Sequence, residues 1–325
     1  MKQRFITLDA VKVLAAISII WLHTVMHLPQ LEFTSVLGRF AVPFFACTSV
    51  FIIFIKVINQ PKVGFREYLI SRLKRIYLPF LTWSIIYLLI RYGKCWITNL
   101  CTKITLDLDI FWTGTANHLW FLPFILVVSL SAFLLAKFVA RYPKTQIWLA
   151  LIALMAGILV LIKPNYALTY QIGYTFALSY QALPAVLWAI SLAILDRLFN
   201  FRDNNNFYFL PWLSIVMVIS FSILMLVQGR NLFLENIGGV CLLLFSLTYQ
   251  NTRLKILEKI AAFSSYSYGI YLVHILFVEG FQQLANLMNI SATTFLYLGI
   301  FLLSLILSML TIFTLKKCKM PILLS

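Results

Sequence analysis

Four ionisable residues fall in the first apolar stretch of the chain: Asp9, Lys12, His23 and His27. On a helix turning about 100° and rising about 1.5 Å per residue, Lys12 and His23 differ by only about 20° in direction and stand about 16 Å apart. Asp9 lies about 40° to the other side of His23 and His27 about 40° beyond it, so one stripe carries all four. An imidazole serves as base, acid or nucleophile near neutral pH. An ionisable group inside an apolar span faces a cavity or a partner. His23 is therefore the first candidate for chemistry. Asp9 and Lys12, three residues apart, also suit a plain ion pair, with Lys12 reaching back to the nearer interface.

Further candidates are spread along the chain. Arg72 and Arg75 sit three apart in a basic run from Lys62, side by side if that run is helical. Paired guanidiniums grip phosphate or pyrophosphate, and the same run also suits anionic lipid. Arg39 precedes Phe40-Ala41-Val42-Pro43-Phe44-Phe45, and His118 and Trp120 open a later apolar run. His274 falls in the middle of another, followed by Glu279. Five residues place Glu279 about 140° around a helix from His274, off its face.

The elements that must hold these residues are membrane helices. Hydrophobic residues make up 62% of the 325 and charged residues only 11%, too few to cover a soluble surface of this size. A hydrocarbon core about 30 Å thick takes about 20 apolar residues per helix. The apolar runs predict about ten spans, over 8–27, 37–57, 77–92, 118–140, 146–162, 174–195, 208–227, 232–250, 264–285 and 294–315. They leave no room for a second domain, so residues 1–325 read as one unit, an all-α polytopic bundle. The runs do not alternate as barrel strands would. Asp9 and Lys12 interrupt the first run, which reads as a retained helix and not as a cleaved signal.

Lysine and arginine set the orientation. With the N-terminus inside, 19 of the 26 basic residues fall in inner segments, six in outer segments, and Lys12 inside the first span. That asymmetry predicts cytoplasmic N- and C-termini. The formal charge of +16 thus reflects topology and not nucleic-acid binding. Cys95 and Cys101 share an outer loop where a disulfide is permitted. No CxxC spacing suggests a metal site, and none is expected.

Taken in order, these segments resemble the acyltransferase 3 family of membrane-bound acyltransferases. The resemblance rests on Leu8-Asp9 with Lys12, ten residues and His23; on Arg39 to Phe45; on Arg72-Leu73-Lys74-Arg75; on His118-Leu119-Trp120-Phe121-Leu122; and on Ser267 to His274. Cys47-Thr48-Ser49-Val50 stands where the family often has Ser-Gly, and Lys12 replaces the commoner arginine. The resemblance implies an enzyme of the plasma (inner) membrane, among its lipids. It would move an acyl group, often acetyl, from cytoplasmic acyl-CoA to a hydroxyl of a surface polysaccharide or its lipid-linked precursor. It further implies His23 as base or transient acyl carrier, with Lys12 and Asp9 tuning it or lining the donor path. Arg72 and Arg75 would hold CoA, and Arg39, His118, Trp120 and His274 the acceptor. A polysaccharide-unit transporter without transfer chemistry is the competing reading; the absence of inverted repeats counts against it.

Overall fold

In the computed structural model, residues 5–26, 28–60, 62–98, 109–162, 166–202, 205–249, 255–320 and 323 are described. They form ten helices: α1 Ile6–Val25, α2 Glu32–Asn59, α3 Phe65–Trp96, α4 Asn117–Arg141, α5 Pro143–Ile162, α6 Tyr174–Phe199, α7 Leu210–Gln228, α8 Leu232–Thr248, α9 Lys255–Leu287 and α10 Thr294–Lys317. No strand occurs among the described residues. Nine helices are long and apolar enough to cross a bilayer; α8, at 17 residues, is shorter. The chain is a multi-pass helical membrane protein.

The expected spans match the helices in register, with one structural difference. The basic stretch read as a loop over 58–76 is helical from Phe65. Gly64 starts this helix, Glu67 sits in its first turn, and it runs on into the apolar part of α3. At about 1.5 Å per residue, the 32 residues of α3 reach about 48 Å, more than a hydrocarbon core. Its charged first turns therefore lie beyond the hydrocarbon.

Burial sorts the bundle into an inner and an outer set. The most apolar windows of α1, α2, α4, α6 and α9 are 50–67% buried, those of α5, α7 and α10 only 17–22%. With lipid as apolar as the side chains, the outer helices need no polar cover. α2 is the hub, packed on α1, α4, α6 and α8, and α9 packs on α1 and α10. Small residues permit the closest approaches. A Cβ on Gly38 would stand 2.4 Å from the Ser18 carbonyl oxygen on α1, and one on Gly238 would strike the Phe40 ring. Alternation of ten helices puts the N-terminal ends of α1, α3, α5, α7 and α9 on one face. That face carries most of the lysines and arginines and is called here the basic face.

α6 contains Pro184. A proline interrupts the helical ladder around it. Here the side chain of Asn236 on α8 fills the break. Its Oδ1 accepts from the Ala185 amide at 3.2 Å, and its Nδ2 donates to the Gln181 carbonyl at 2.9 Å. One amide thus bonds both a donor and an acceptor of the backbone beside the proline, as an apolar surrounding favours.

Candidate active site

Three histidines from three helices meet in the half of the bundle away from the basic face. His23 comes from the last turns of α1, His118 from the tight first turn of α4, and His274 from the middle of α9. The His274 ring centroid lies 5.3 Å from that of His23 and 5.3 Å from that of His118. His118 is 4% exposed and His274 0%, whereas His23 is half-buried. The accessible imidazole is the one that sequence spacing singled out, and the other two stand behind it.

Hydrogen bonds to backbone carbonyls fix this cluster. The Tyr271 hydroxyl donates to the carbonyl of His118, tying α9 to α4. Tyr87 on α3 donates to the Leu272 carbonyl at 2.8 Å, and its ring meets the His118 ring edge-on at 5.3 Å. Gln282 on α9 donates to the Thr24 carbonyl at 3.1 Å, beside His23. Trp21 donates to Thr34 Oγ1 at 3.1 Å, joining α1 to the start of α2.

The His274 Nδ1 stands 2.8 Å from the Tyr271 carbonyl oxygen and 3.1 Å from that of Ile270. Carbonyls only accept, so Nδ1 carries the proton and Nε2 offers a lone pair. That Nε2 has no hydrogen-bond partner. Neither ring nitrogen of His118 makes a full hydrogen bond, although the Leu272 carbonyl lies close by. Buried imidazoles with unused nitrogens are uncommon. Among the described residues no three His, Cys, Asp or Glu side chains converge in metal-binding geometry.

The cluster opens on two adjoining chambers of about 170 and 210 Å³, which share His23, Trp120 and Tyr174 in their walls. One lobe is walled by Arg39, Gln181, Arg230, Glu235 and Asn236. The other is walled by Asn117, His118, Tyr271, Glu279 and Gln282. A third cavity of about 200 Å³, nearer the basic face, is lined by Lys12, Ser49, Ile76 and Tyr268. Phe121 and Tyr271 line both this cavity and the His118 lobe, forming the wall between them.

The other expected residues are distributed around these cavities. Asp9 and Lys12 pair at 3.4 Å, and Lys12 faces the cavity on the basic side. The stripe of α1 therefore serves both sides of the dividing wall. His27 lies outside the described residues, as does Cys101; Cys95 is disulfide-bonded. Glu279, though off the His274 face, shares a lobe with His23 and His118.

Arg72 and Arg75 differ in their surroundings. A π-helical turn spans Leu73–Tyr77, directly after Arg72. Such a turn holds more residues than an α turn and so changes the spacing of the side chains along it. Arg72 is half-buried with its guanidinium 4.8 Å above the Tyr68 ring, which stacks on Phe133 of α4 at 4.2 Å. Arg75 is exposed. Neither lines a cavity described above, but the following residue, Ile76, lines the one containing Lys12.

Residues not singled out from sequence are Gln181, Glu235 and Asn236. Glu235 accepts from Arg230 at 2.8 and 3.3 Å and stands 3.8 Å from Arg39. An acid inside the apolar stretch of α8 was the available signal.

Comparison with known proteins identifies the family. The acyltransferase 3 family model, described as an acyltransferase domain, matches residues 5–313. No curated protein and no solved structure matches the chain. A multi-pass bundle with a buried histidine cluster, matched over nearly its whole length by this one model, belongs to the acyltransferase 3 family and is an acyltransferase.

Proposed function

We propose that the protein is an O-acyltransferase of the plasma (inner) membrane, its termini and basic face cytoplasmic. It takes an acyl group, acetyl in the simplest case, from cytoplasmic acyl-CoA and places it on a hydroxyl of a surface polysaccharide or its lipid-linked precursor. The observation that carries the reading is the place of His23. It is the half-buried, accessible member of the histidine cluster and borders both lobes of the chamber away from the basic face.

The donor enters from the basic face. Arg72 and Arg75, standing at the mouth of α3, hold the phosphates of CoA. The thioester end reaches past Lys12 and Asp9 and, as the Phe121 side chain swings aside, brings the acyl carbon through the wall to His23. The acceptor occupies the chamber beyond, where Trp120 offers an aromatic face to a sugar ring and Arg39 and His118 offer polar contacts. In the transfer, His23 takes the proton from the acceptor hydroxyl as that oxygen bonds to the acyl carbon. The carbon–sulfur bond breaks, and the proton passes to the CoA thiolate. His274, with its proton held on Nδ1 by carbonyls, presents an accepting nitrogen to the cluster. His118 and His274 thereby orient His23 at the chamber.

Purified protein in lipid nanodiscs, supplied with radiolabelled acetyl-CoA and membrane glycan, tests the reading. His23→Ala is expected to lower transfer by about 10²–10⁴-fold, the usual contribution of a general base, with an unchanged melting temperature. Full activity in that variant would remove the assignment of His23. Absence of label on the glycan in the wild type would remove the proposed donor and acceptor.

A further inference from the structure

The two lobes of the chamber differ in charge. On the α2, α6 and α8 side stand Arg39 and Arg230 with a single lining carboxylate, Glu235. Glu279 lies in the other lobe, and Glu32, which acts on Arg39 electrostatically, is exposed at the start of α2. The Glu235 carboxylate is taken up mainly by Arg230, which grips it through Nε at 2.8 Å and Nη2 at 3.3 Å. Arg39 stands further off, its Nε 3.8 Å from Glu235, and that buried Nε makes no hydrogen bond. One guanidinium of the lobe is thus matched by its carboxylate and the other is only half answered.

The frame around this imbalance is built and rigid. Arg230 Nη2 donates to Gln181 Oε1 at 3.1 Å, and Gln181 Nε2 donates to the Tyr170 hydroxyl at 3.1 Å. The Gln181 backbone is clamped in turn by Asn236, next to Glu235. A cation held inside an apolar bundle without full compensation is costly and marks a ligand path. A planar guanidinium fork suits carboxylate or phosphate oxygens.

We infer that the Arg39–Arg230 lobe is an acceptor subsite for an anionic group, so that the acceptor is an acidic saccharide, bearing a sugar carboxylate or a phosphate ester close to the hydroxyl that receives the acyl group. This rests on the acyltransferase reading above for its placement beside His23. Arg39 supplies the guanidinium whose Nε makes no hydrogen bond, and Glu235 keeps Arg230 in position behind it. Glu279 across the chamber repels the anion and so gives the acceptor one orientation.

The test is equilibrium binding to the purified protein in neutral-lipid nanodiscs, by calorimetry, in the absence of acyl-CoA. The probes are an oligogalacturonide, an uncharged oligogalactose of equal length, and a short-chain prenyl diphosphate. At least one anionic probe is expected to bind about tenfold or more tighter than the neutral sugar; the oligogalacturonide points to a sugar carboxylate, the prenyl diphosphate to the lipid-linked phosphate. Arg39→Gln should weaken that binding about tenfold and Arg39→Lys should recover part of it through charge alone, which a packing role would not give. Should Arg39→Gln fail to fold, the wild type decides: binding of the anionic probe must fall steeply as salt is raised and that of the neutral sugar must not. Equal binding of all three probes, or salt-insensitive binding of the anionic ones, overturns the subsite. Absence of acyl transfer with anion binding intact would instead overturn the function proposed for the chamber and leave the subsite standing.

Discussion

Asn236 shows how much one side chain settles in this bundle. It bonds two backbone groups of α6 beside Pro184, and it stands beside the carboxylate that holds Arg230. Asn236→Leu leaves a buried carbonyl and a buried amide unsatisfied, at a cost of about 2 kcal/mol. Thermal unfolding in detergent should show a melting temperature several degrees lower, with Asn236→Asp between the two because only the accepting oxygen survives. An unshifted melting temperature for the leucine variant would mean that the break closes without the amide. At this scale the sequence was partly legible. His23, His118 and His274 each stand out as an imidazole in an apolar run. Their convergence does not, because they come from three helices separated by 95 and 156 residues of chain, and no local spacing encodes that contact. Glu235 was passed over for a related reason. Its partners Arg39 and Arg230 read as ordinary end-of-helix charges until folding brings them to it.

The helices themselves were the legible part, since lipid admits only long apolar runs whose backbone bonds close within the segment. What failed to show was the helical start of α3. Its charges satisfied the rule for an inner loop, and composition gives no sign that Gly64 begins a helix continuous with the span. The π turn at Leu73–Tyr77 was invisible too, because it depends on how α3 packs against α4. Close approach of α1 and α2 is the element-scale device that brings Arg39 into the chamber with His23. Gly38→Val would place a Cβ 2.4 Å from the Ser18 carbonyl and 2.7 Å from Leu22 Cβ. Both contacts belong to the segment leading into His23, so the helices must separate. Overpacking of this kind costs about 1–3 kcal/mol, and acyl transfer should fall although every chemically active residue is retained. Wild-type transfer rates in a folded Gly38→Val protein would show that the α1–α2 spacing does not set the site.

Across the whole molecule, a cavity approached from the basic face and a chamber on the other side are kept apart by Phe121 and Tyr271. Tyr271 is held in place by its bond to the His118 carbonyl, so Phe121 is the removable half of the wall. Phe121→Ala should join the two spaces and let water reach the thioester. Acyl-CoA hydrolysis without acceptor is expected to rise several-fold, read as free thiol released over time, while transfer to glycan falls. An unchanged background rate would mean that the wall lies elsewhere. The wall has a further consequence for the cell. A polar passage from one side of an energised membrane to the other would conduct protons, and imidazoles and carboxylates are the groups that relay them. On the function proposed above, two aromatic side chains in that passage would act as insulation, letting donor and acceptor approach from opposite faces without discharging the membrane between them.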